Sequence, residues 1–259
     1  MSSQTPQPAE EFTRVESIFV RHRNTLLLRA DLGPIFTGYY LHLMEQKLRN
    51  SQKLDAMLKD MLGGFVLHLV SRPWAETIAW TANLRAPRAN LFVTGSSTEE
   101  SVSARIFTED VREPDQNYFY SQTTTPNDRE PRLSSLIVDD NDPIDWVAQY
   151  YTQSEQRPGR AFHLGGDRYA LLAAQPDFDE EWFNAATAES IDTIEQSEET
   201  KLLESRRLTF HCGCTIARIL PILGSWREKP DELFNGEDRI TIQCPRCAAR
   251  YTVSRSMLQ

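Results

Sequence analysis

The 259-residue chain has no apolar run long enough to cross a bilayer. Its longest strongly apolar stretch, Met61 to Val70, is far short of the roughly 20 residues a membrane helix needs, and it contains His68. The first eleven residues carry two prolines and two glutamates and no apolar h-region, so they read as a disordered tail and not as an export signal. A cytoplasmic location without membrane contact is expected. Also missing are a GxSxG nucleophile motif, an HExxH pair and a Walker loop, while His22, His42, His68 and His163 are dispersed. No enzyme activity is expected. Internal repeats and low-complexity tracts are absent. So is any excess of positive charge: 28 Lys and Arg against 37 Asp and Glu give a net charge of −9, which argues against broad phosphate or nucleic-acid binding. No cysteine lies outside one C-terminal group of four.

What remains suits a globular protein. Hydrophobic residues make up 40% and charged residues 25%, and twelve Phe, eight Tyr and five Trp suffice for a core. The length suggests one large domain with a small appendage. Charge divides the chain further. Asp177–Glu204 holds ten acidic residues against Lys201 alone, whereas 206–259 holds nine Lys and Arg against five Asp and Glu.

Alternation over Arg14–Arg29 predicts a strand or strand pair. Tyr40, Leu43, Met44, Leu48, Leu54, Met57, Leu58, Met61, Leu62 and Phe65 recur at spacings of three and four, predicting helices broken near Asn50–Ser51. Gly63–Gly64 in the second helix suggests close packing or a kink. Three β-rich runs, Thr77–Leu84, Asn90–Thr94 and Ser101–Phe107, predict an antiparallel meander, with Gly95-Ser-Ser-Thr-Glu-Glu as a hairpin connection. Residues Pro114–Arg132 read as a long loop interrupted by the aromatic patch Tyr118–Tyr120. Asp142 and Pro143 open a helix to about Gln153, a better use of Asp139-Asp-Asn-Asp142 than a calcium loop. Arg160–Leu164 and Tyr169–Ala174 flank Gly165-Gly-Asp167 as a hairpin. The acidic stretch reads as a helical linker anchored by Ile191, Ile194, Leu202 and Leu203.

Cys212-Gly-Cys214 is followed after twenty-nine residues by Cys244-Pro-Arg-Cys247. Two short cysteine pairs from separate segments are the usual source of four tetrahedral zinc ligands, and in a reducing cytoplasm thiols favour metal over lasting disulfides. Arg239–Gln243 and Arg250–Val253 are strand-like, which puts the second pair at a hairpin turn. Gly213 gives the first pair the backbone freedom to bring two thiolates close. His211 is a neighbouring polar residue and not a fifth candidate. The plain reading is a staple, because a segment of this size cannot bury enough apolar surface to fold alone. The same thiolates are open to oxidants, and oxidation should pair Cys212 with Cys214 and Cys244 with Cys247, enclosing too little chain to replace the metal. A zinc ribbon that binds nucleic acid or protein, with Arg246 and Arg250 beside the metal, remains an alternative.

A CxC pair, a gap of this length and a CxxC pair near the C-terminus resemble the heat shock protein 33 family of redox-regulated holdase chaperones. Val147-Ala-Gln-Tyr-Tyr-Thr-Gln-Ser-Glu-Gln-Arg-Pro158 is similar to that family's helix ending in SEQ-x-P, and Leu54–Val70 followed by the meander resembles its N-terminal order. Asn83–Asn90 stands where the family has a GDGP turn, and the stretch before Cys212 is shorter than the family's. The resemblance implies an α+β fold: a core domain (14–176) with a mainly antiparallel sheet packed by helices, after a disordered tail (1–13). An acidic helical linker (177–207) and a zinc-binding module (208–259) follow. It implies Cys212, Cys214, Cys244 and Cys247 as zinc ligands and redox-active cysteines. Unfolding proteins are the partners it implies under oxidative stress, with homodimerisation on oxidation.

Overall fold

A computed structural model of the chain describes residues 12–127, 130–138, 142–226 and 228–258. The expected tail lies outside the described residues up to position 11, and so do Asp139, Asp140 and Asn141 of the acidic run.

The alternating N-terminal stretch forms β1 (Thr13–Val20) and β2 (Thr25–Asp31). Helices α1 (Gly33–Gln46) and α2 (Gln52–Ser71) break where expected. Lys47 closes α1 in the left-handed conformation, and the Ser51 side chain accepts the Leu54 amide to cap α2. The meander is β3 (Thr77–Leu84), β4 (Ala89–Ser96) and β5 (Ser101–Phe107).

The next segment corrects the expected loop. Tyr118–Thr124 is a full strand, β6, and Arg132–Ile137 is β7. Period two is present, with Phe119, Ser121 and Thr123 facing inward, but two of those three are polar and disguise the pattern. Ser121 is satisfied there by the Tyr150 hydroxyl at 3.2 Å. Helix α3 (Pro143–Gln153) starts with the Asp142 carboxylate accepting the Ile144 amide, and β8 (Gly159–Gly165) and β9 (Arg168–Ala174) form the expected hairpin.

The acidic stretch is helical only in its first part, as α4 (Glu180–Ala185), α5 (Ala188–Asp192) and a 3-10 turn at Ile194–Gln196. Thr200–Phe210 is a strand, β10, paired along β1. Ile191 and Ile194 are buried anchors, but Leu202 and Leu203 are more than half exposed. Leu203 is the extra residue of a bulge, since Ile18 pairs with Leu202 and Ser17 with Glu204. The chain ends in α6 (Ile216–Ile219), a 3-10 turn at Leu220–Trp226, α7 (Pro230–Phe234), and the hairpin β11 (Arg239–Gln243) and β12 (Arg250–Ser254).

Ten strands form one sheet in the order β7-β6-β3-β4-β5-β10-β1-β2-β9-β8. Every pairing is antiparallel except β5 with β10, a short parallel junction of Thr209 with Ser101 and Phe210 with Val102. That junction joins two antiparallel half-sheets. Helices α1, α2 and α3 cover one face, where Trp80 meets Phe65, Phe119, Tyr150 and His68. His68 is fully buried, its Nδ1 3.1 Å from the Tyr151 hydroxyl, and burial holds its pKa well below the usual value. The paired glycines are sites of close approach: a Cβ on Gly63 would lie 2.6 Å from the Tyr169 ring, and one on Gly64 2.5 Å from Val147.

The second face of β1, β2, β9 and β8 is covered by the acidic helices. Phe183, Ile191 and Ile194 rest there on Ile18, Val20, Leu27, Phe162 and Leu172. This double cover explains why β9 reads as an unbroken apolar run. The helices are also tied by charge. Arg23, in the β1–β2 turn, donates to both carboxylate oxygens of Glu198 at 3.0 Å and to Asp179 at 2.6 Å. Arg21 pairs with Glu199 at 2.8 Å, Arg29 with Glu195 at 2.5 Å, and Arg168 with Asp192. Asp179 caps α4, and the Trp182 amide together with Arg23 holds its carboxyl below the ordinary carboxylate value.

Candidate metal centre

The first cysteine pair emerges where β10 ends. The His211 amide still bonds the Val102 carbonyl at 2.8 Å, and the chain then turns through Gly213 at φ +64°. Thr215 stops the turn by capping α6, its hydroxyl accepting the Arg218 amide. The second pair occupies the turn between β11 and β12, as expected. There the Cys244 amide donates to Ala249 at 2.8 Å and the Ala248 amide to the Cys244 carbonyl at 2.9 Å.

These two turns bring all four sulfurs within 4.8 Å of one another. Cys212 Sγ lies 3.8 Å from Cys244 Sγ, and Cys214 Sγ lies 3.5 Å from Cys247 Sγ, each contact joining one turn to the other. No cysteine is in a disulfide. Zinc–sulfur bonds of about 2.3 Å in a tetrahedron require sulfur–sulfur edges of about 3.8 Å, so the cluster fits that ion in donor type, number and spacing. Zinc bound there would fix all four cysteines as thiolates and cross-link the two turns. His211 is outside the group.

Hydrogen bonds from Cys212 and Cys247, with backbone amides of Arg246 and Cys247, push the Cys244 thiol far down. The same sharing pushes Cys212 up to about 11, through its bond to Cys244, and raises Cys247 as well. A divalent cation held there would displace the thiol protons.

Three supporting residues were missed in the sequence. The Tyr251 hydroxyl donates to Cys214, 2.9 Å from its carbonyl oxygen and 3.0 Å from its sulfur. Arg105 of β5 and His42 of α1 reach the second pair across separations of 139 and 205 residues. Tyr251 could have been suspected from its place on the hairpin; the other two could not. Around the sulfurs the module buries little: Phe234, Val253 and Leu258 form its second small core, with Ile219 and Ala249 beside the cysteines.

Known proteins agree with this architecture. Residues 167–254 match the family model described as "Hsp33 protein". The fold is similar to that of the 33 kDa chaperonin, a heat shock protein 33 homologue, of Thermotoga maritima, with a TM-score of 0.74 at 15% identity over 96% of this chain and 97% of that one. No curated protein matches the chain by sequence. Among the described residues no helix is long and apolar enough to cross a membrane. The C-terminal part of the chain thus matches the sequence model of the heat shock protein 33 family, and the backbone as a whole is similar in fold to a heat shock protein 33 homologue.

Proposed function

We propose that the protein is an ATP-independent holdase chaperone, switched on by oxidation of a four-cysteine zinc centre at Cys212, Cys214, Cys244 and Cys247. It has no reaction of its own to catalyse. The observation that carries this reading is the mismatch between cross-link and core: four sulfurs within 4.8 Å close a module whose own apolar interior is very small. Loss of the donors would leave too little burial to keep the module folded. Two molecules of peroxide take four electrons from the four thiolates, two S–S bonds form, and the peroxide oxygens leave as four hydroxides. The expected pairs, Cys212–Cys214 and Cys244–Cys247, enclose almost no chain and staple nothing.

In this reading residues 14–176, 177–207 and 208–259 work as core, acidic cover and sensor. The cover rests on Ile18, Val20, Leu27, Phe162 and Leu172, an apolar surface suited to unfolding proteins once bared. A second copy of the chain is a further partner in the oxidised state, and the cytoplasm, where thiols start reduced, is the compartment that suits the switch. The test is zinc content together with suppression of citrate synthase aggregation, before and after peroxide at raised temperature. Release of one zinc per chain with a gain in protection is expected. Retained zinc, or release with no gain in protection, overturns the switch.

A further inference from the structure

Arg105 is a partly buried cation with no carboxylate within ion-pair distance among the described residues. Its guanidinium lies 4.2 Å from the centre of the Phe107 ring, which fixes its plane. From there one arm donates to the Cys244 carbonyl at 2.8 Å and the other to the Gln243 side-chain oxygen at 3.0 Å. On the other side of the same turn, His42 Nε2 is 2.7 Å from the Cys247 carbonyl, and since a carbonyl only accepts, that nitrogen carries the proton. The Gln46 side chain accepts the Arg250 amide at 3.0 Å, at the first residue of β12. Both carbonyls of the cysteine pair are thus held from the core. Backbone amides of the same turn point at the sulfurs, those of Arg246 and Cys247 at Cys244 and that of Ala249 at Cys247.

We infer that Arg105 and His42 are positioning residues for the metal centre: they lock the Cys244–Cys247 turn against the core, and Arg105 also supplies the counter-charge to the thiolate cluster. A tetrathiolate around a divalent cation carries two net negative charges, and Arg105 is a cation of the core already placed against its backbone. Outer partners of this kind orient ligands and set how firmly a metal is retained. The core consequently tunes how readily the sensor lets go.

This inference rests on the zinc reading above, and the experiment separates the two. Full-length reduced protein is loaded with zinc, its metal content is measured, and transfer of zinc to a chromophoric chelator is followed for wild type, Arg105→Gln, Arg105→Lys and His42→Ala. Heat unfolding of the core is recorded by the fluorescence of its buried tryptophans. Removing an outer partner typically costs about 10–100-fold in metal retention. Arg105→Gln should therefore lose zinc about tenfold or more faster, His42→Ala should also be faster, and Arg105→Lys should fall between, keeping the charge without the two-armed grip. The core transition should stay in place. Wild-type transfer rates in Arg105→Gln and His42→Ala, with zinc bound in all, overturn the inference while leaving the zinc site standing. A shift of the core transition that accounts for the faster loss also overturns it, and amide exchange at 244–249 in Arg105→Lys decides the point, since positioning requires faster exchange there alone. Wild-type protein that takes up no zinc overturns the reading beneath both.

Discussion

Two parts of the molecule lie outside the main core, and they are held in opposite ways. The acidic segment with helices α4 and α5 is fixed by many modest contacts: four buried apolar side chains, Phe183, Ala186, Ile191 and Ile194, on the second face of the sheet, and a row of arginine–carboxylate pairs. The C-terminal module is fixed by few contacts that depend on one another. Four sulfurs make its centre, and Arg105, His42 and Gln46 tie it to the core. Distributed attachment weakens by degrees, whereas a shared centre fails as a unit.

The largest effect should follow from Cys244→Ser or from chelation under reducing conditions. Structural zinc contributes roughly 10–16 kcal/mol of apparent binding free energy in small modules, so amide protection should vanish across 212–258 and persist in β1 to β9. Equal loss of protection in both regions would erase the contrast. Next, Trp80→Ala should destabilise the core by about 3–5 kcal/mol in denaturant titrations while zinc content stays that of wild type. A smaller effect comes from His68. Its folded pKa lies below 6.5, so the unfolded chain binds the extra proton first. Core stability should then fall as pH drops below 6.5, by up to about 1.4 kcal/mol per unit, and His68→Gln should flatten that slope. The gentlest break is Arg23→Ala. Proteolytic nicking between 177 and 199 should speed up severalfold with little change in the core transition. Acid should act on wild type in the same direction: Asp179 titrates below 3.8 when folded, so its contribution is complete above that value and is lost as pH falls beneath it.

Periodicity carried most of the fold. Alternation gave β1 and β2, three-four spacing gave α1 and α2 with the break at Ser51, and turn residues gave the β8–β9 hairpin. It failed where burial and polarity disagree. β6 turns Ser121 and Thr123 inward, and β10 begins inside the stretch 177–204 whose balance is strongly acidic, so charge suggested a helical linker where pairing with β1 made a strand. The site divides likewise. Cysteine spacing named the four sulfurs, since ligand pairs are local in sequence. Their supports are not local, and a lone histidine in α1 or an arginine in β5 gives no sign of the turn it will meet.

The parallel junction of β5 with β10 has a mechanical consequence. One residue, His211, separates the last paired position, Phe210, from Cys212, and its amide is itself bonded to β5. The chain has no slack between the seam of the two half-sheets and the first sulfur. A displacement of Cys212 would therefore bear on the shortest ladder in the sheet, at the line where the core itself is divided.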